Sequence, residues 1–100
     1  MIVVCSPTTG EVTLRETEVF TSFHVEAPER STTANVSSAL GTPEAEPGDH
    51  VWLLIDQIRT LAGETTPDWT RDFEAMIEYA AGKGWTNNSG DMLLAHVKTG

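Results

Sequence analysis

The stretch "TTPDWTRDFEAMIEYAAGKG", residues 65–84, constrains the fold more than any other. Thr66 can cap a helix, Pro67 suits the first helical position, and Asp68 favours the positive end of the helix dipole. Trp69, Phe73, Met76, Ile77 and Ala80 fall on one stripe, while Arg71, Glu74 and Glu78 face water. A helix with one apolar stripe must bury it against something, and the flanking patterns supply a sheet.

"MIVVC" is rich in β-branched residues and ends at the turn "SPTTG". "EVTLRETEVFTSFHVEAP" then alternates in two registers: Val12 and Leu14 share one parity, Val19, Phe23 and Val25 the other. That shift requires a turn or bulge near "RETE", giving a hairpin or a bulged long strand that ends at Pro28. "STTANVSSALG" predicts a short helix, capped by Ser31 or Thr32, with Val36, Ala39 and Leu40 spaced on one face and Gly41 closing it. "TPEAEPGD" reads as a surface loop. "HVWLLIDQIRTLAG" fits either one helix or a short strand followed by a helix from near Asp56; the split is preferred, since one helix leaves Trp52 and Leu53 outward. "DMLLAHVK" predicts a last strand, buried on both faces for most of its length. The expectation is one α+β domain over residues 1–100. Its small antiparallel or mixed sheet, of about 3–5 strands, packs against two or three helices, the main one at 67–83. Trp69, Phe73, Ile77 and Trp85 are expected in its core.

Gly84 suits the left-handed position past a helix end, and Trp85 sits where an apolar residue folds back onto the last turn. "NNSGD" then turns the chain. Asn87-Asn88-Ser89 and Asn35-Val36-Ser37 match the glycosylation pattern, which has no meaning without secretion. The order of Trp69, Phe73, Met76, Tyr79, Ala80, Lys83, Gly84, Trp85, Gly90, Ala95, His96 and Val97 resembles a family of small uncharacterised actinobacterial proteins, and "FHVEAP" and "DHVW" also fit it. The resemblance covers chiefly the last half of the chain. It implies a compact bacterial cytoplasmic domain and carries no activity, cofactor or catalytic residue.

The formal charge is −9, from 6 basic and 15 acidic residues. Such a surface repels phosphate backbones, which disfavours nucleic acid and admits a basic protein partner. Glu44, Glu46 and Asp49 would centre such an interaction face. No apolar run approaches the roughly 18 residues of a membrane span. The N-terminus carries about four apolar residues in a row, without the basic start of a signal peptide. With a single cysteine, this predicts a cytoplasmic address.

Candidate chemistry rests on His24, His50 and His96, each followed by valine. In strands of one sheet they could converge on zinc with Cys5 as a fourth ligand, but the paired short spacings of zinc sites are missing, so no cofactor is expected. His24 with Glu26, two apart on one strand face, is a better acid–base pair than Asp49 with His50, whose adjacent positions point apart within a strand. Cys5 ends an apolar strand and reads as a core residue sooner than a nucleophile. Trp52, Trp69 and Trp85 read as core before pocket. The reading that results is a non-enzymatic acidic accessory domain. Its alternative is a small enzyme or a ligand- or metal-binding domain using histidines in a helix–sheet cleft. Convergent histidines at a concave apolar pocket favour the alternative.

Overall fold

The computed structural model describes residues 1–45 and 48–99. Pro7 to Gly10 turn the chain between β1 (Ile2–Ser6) and β2 (Glu11–Arg15), and this antiparallel hairpin starts the sheet. The parity change falls at Glu16, whose backbone is left-handed at φ 50°. It does not make a second hairpin or a bulged strand. Residues 16–23 run as irregular chain to β3 (His24–Ala27), which pairs with β1 in parallel. β3 then pairs in parallel with β5 (Met92–Thr99), and β5 pairs antiparallel with β4 (His50–Leu54). The mixed sheet has the order β2-β1-β3-β5-β4, and the chain folds as α+β.

Among the described residues, three helices complete the fold: α1 (Thr33–Leu40), α2 (Ile55–Ala62) and α3 (Pro67–Gly82). The Thr32 and Thr66 hydroxyls accept from the backbone N–H groups of Asn35 and Trp69, satisfying donors that helix starts leave free. β4 runs directly into α2 at Ile55, so the split is what forms. Strand alternation buries Val51 and Leu53, and helical spacing then buries Ile55 and Ile58.

Val3, Cys5, Val25, Ala27, Leu53 and Ala95 belong to one sheet face. They join Val36 and Leu40 of α1, Ile58 of α2, and Trp69 and Phe73 of α3 in one core. Trp69 stacks on Phe73 with centroids 4.8 Å apart and meets Phe20 in a T-shaped contact, centroids 5.8 Å apart. Two expectations change here. β5 is buried on one face only: Leu93, Ala95 and Val97 are inside, Met92 and Leu94 half-buried and His96 exposed. Trp85 is 44% exposed and lies outside the core, while Ile77 packs against it half-buried. No helix among the described residues is long and apolar enough to cross a membrane.

Candidate functional site

The His–Val repetition acquires a geometric meaning in the sheet. Each valine points into the core, so each histidine points to the other face. His50 and His96 are register partners on β4 and β5. Val97 N–H donates to the Asp49 carbonyl at 2.9 Å, which sets the phase of the β4–β5 ladder. The adjacent 50–96 pair is therefore of the non-hydrogen-bonded kind, in which side chains approach most closely. The two imidazoles stand edge to face, 5.4 Å between centroids.

Asp49 links them. Its Oδ1 lies 2.7 Å from His50 Nδ1 and its Oδ2 3.3 Å from His96 Nε2. Asp49 precedes the first strand residue, so alternation does not force it away from His50, and the objection to this pair falls. The His50 hydrogen bond, foremost among several causes, holds the Asp49 carboxyl below its ordinary range. An ionised Asp49 accepts the His50 Nδ1 proton, and a neutral imidazole then presents Nε2 as an acceptor.

His24 lies level with His96 when the β3–β5 register is continued by one residue. Its Nε2 instead meets Glu26 Oε2 on its own strand at 3.0 Å, with Arg15 3.5 Å from the other carboxylate oxygen. That hydrogen bond is the main cause lowering the Glu26 carboxyl. Cys5 is fully buried on the opposite face and cannot join the histidines. Burial raises its thiol, which keeps it protonated. Among the described residues no group of three or more His, Cys, Asp or Glu is placed to hold a metal ion.

His50 and His96 border a cleft of about 940 Å³. It exists because β5 has two different neighbours on its β3 side. β3 pairs only with Val97–Thr99, while Leu94 N–H donates to the Trp85 carbonyl and Thr86 bridges Leu93. Between them the irregular 16–23 segment supplies Phe20 and Phe23, α3 supplies Met76 and Tyr79, and Leu94 forms part of the lining. Long-range bonds hold this wall. Trp69 Nε1 donates to the Thr17 carbonyl at 2.7 Å, and the Met1 amino group donates to the Val19 and Ser22 carbonyls at 2.7 and 2.8 Å.

Trp85 lines the cleft as well, its ring 6.1 Å edge-on from Tyr79. Its placement follows the helix stop: Gly84 takes φ 79°, and Trp85 N–H returns to the Ala80 carbonyl at 2.8 Å. Sequence reasoning singled out His50, His96 and Asp49 but did not connect Phe20, Phe23 and Tyr79 with them. The apolar parity of Phe23 was the available signal. The cleft depends on contacts distant in sequence.

Of the proposed interaction residues, Glu44 is exposed and bridges Val51 along the outer side of β4, and Asp49 is engaged by the histidines. Glu46 lies outside the described residues. A second, smaller groove of about 420 Å³ is lined by Asp56, Arg59, Glu74, Glu78 and Asp91. In comparisons with known proteins, the chain matches no protein-family model, no curated protein and no solved structure.

Proposed function

We propose that this domain binds a small molecule in the cleft between the 16–23 segment, α3 and β5, with the Asp49–His50–His96 group as its polar rim. One observation carries the reading: a single carboxylate contacts two imidazoles where both border an aromatic cleft. A volume of about 940 Å³ falls within the range of ordinary ligand sites, and apolar walls with a few convergent polar groups are their usual composition. His50, oriented by Asp49, can accept a proton or hydrogen bond from a bound donor. This favours ligand binding over the accessory-domain reading, and it uses no metal. Cys5, a free buried thiol, fits a reducing cytoplasm.

A thermal-denaturation screen against a fragment library tests the proposal. Hits are expected to raise the melting temperature of the parent and to act much less on a His50→Ala, His96→Ala variant. Hits that stabilise both proteins equally would place binding elsewhere, and a screen without saturable hits would remove the reading.

The acidic surface supports a second reading, a basic protein partner. Its specific support is the groove lined by Asp56, Glu74, Glu78 and Asp91 together with Arg59, which shares no lining residue with the histidine cleft. Capture of a partner that is released at high salt is the test, because screening weakens association driven by exposed charges.

A further inference from the structure

We infer that the ligand of this cleft is a small organic cation, an amine or ammonium compound with an apolar body; the inference rests on the ligand-binding reading above. The charges in the lining are one-sided. Glu18 and Asp72 contribute carboxylates, and the described lining contains no lysine or arginine. Phe20, Phe23, Tyr79 and Trp85 line the same cleft. Aromatic faces carry negative quadrupole density, and such rings near carboxylates hold ammonium groups better than neutral or anionic ones. The histidine rim can act with the same polarity, because a His50 that donates Nδ1–H to Asp49 presents Nε2 as an acceptor for an N–H donor. An anion entering here would meet Glu18 and Asp72 within a chain of formal charge −9.

The protein's own cations behave consistently with this chemistry. The Lys83 ammonium lies 5.5 Å from the Tyr79 ring centroid. The Met1 ammonium is held by carbonyls of the same 16–23 segment that walls the cleft. Neither Met1 nor Lys83 is among the residues that line the cleft.

Three probes with one indole body separate the possibilities: tryptamine, tryptophol and indole-3-propionate, cationic, neutral and anionic at neutral pH. Each is titrated into the protein while backbone amide resonances of Met76, Leu94 and His96 are followed by NMR. Tryptamine is expected to bind about tenfold tighter than tryptophol, with indole-3-propionate weakest. A Glu18→Gln, Asp72→Asn variant should lose most of that preference; both positions are exposed, so the fold should persist. Equal affinity for all three probes would overturn the inference and leave the ligand site standing. A cation preference unchanged in the variant would overturn the assignment to these carboxylates. Failure of every probe to move the cleft resonances would overturn both this inference and the reading beneath it.

Discussion

Asp49 stands one residue before β4, and its two carboxylate oxygens reach different rings, His50 at 2.7 Å and His96 at 3.3 Å. Asp49→Asn removes the anion that favours the His50 Nδ1–H form, so imidazole ¹⁵N shifts should move toward a mixed tautomer population. An unchanged spectrum would show that Asp49 does not orient the ring. The lowered carboxyls of Asp49 and Glu26 also make an acid-stability prediction. A carboxyl depressed in the fold contributes stability above its ordinary value, 3.8 for Asp49 and 4.5 for Glu26, and loses it as pH falls through the lower folded value. Urea midpoints measured from about pH 6 to pH 2 should therefore fall more steeply for the parent than for an Asp49→Asn, Glu26→Gln variant. Parallel curves would contradict the two hydrogen bonds. Cys5, buried and with a raised thiol, should react with a thiol reagent only after unfolding; fast native labelling would contradict its placement.

The elements differ in how openly the sequence announces them. Helix α3 was legible to within a residue because Thr66, Pro67 and the Trp69–Phe73–Ala80 stripe are all local signals. The passage from β4 to α2 was legible because the period changes from two to helical at Ile55. Trp85 was not, since its partner Leu94 lies across the turn and only the sheet shows that its carbonyl completes the β5 ladder. The cleft wall at 16–23 was hidden for the same reason, held by Trp69 and the Met1 amino group. Phe73→Ala should cost roughly 3–5 kcal/mol in unfolding free energy. Trp85→Ala should cost less, about 1–2 kcal/mol, because nearly half of its surface is already in water. Equal losses would put Trp85 in the core after all. In α1, the Ser37 hydroxyl is buried with no hydrogen-bond partner among the described residues. Ser37→Ala should leave stability unchanged or raise it by up to about 1 kcal/mol, and a clear loss would reveal a partner for the hydroxyl.

At the scale of the whole molecule, the sheet gives the three histidines a common face and the core the other. The sequence carried this division in its His–Val repetition, but not the position of the strands that makes His50 and His96 neighbours. The acids do not gather at residues 44–49 alone: Asp56, Glu74, Glu78 and Asp91 surround one groove, and Glu18 and Asp72 border the cleft. The central claim is that the cleft beneath Asp49, His50 and His96 is the ligand site. The most direct test is a two-dimensional amide NMR titration with the strongest fragment from a library of mixed charge. Saturable shifts concentrated at Phe20, Phe23, Met76, Leu94 and His96 are predicted, with little change along α1 and β2. Shifts centred on the groove around Arg59, or scattered without saturation, would contradict it.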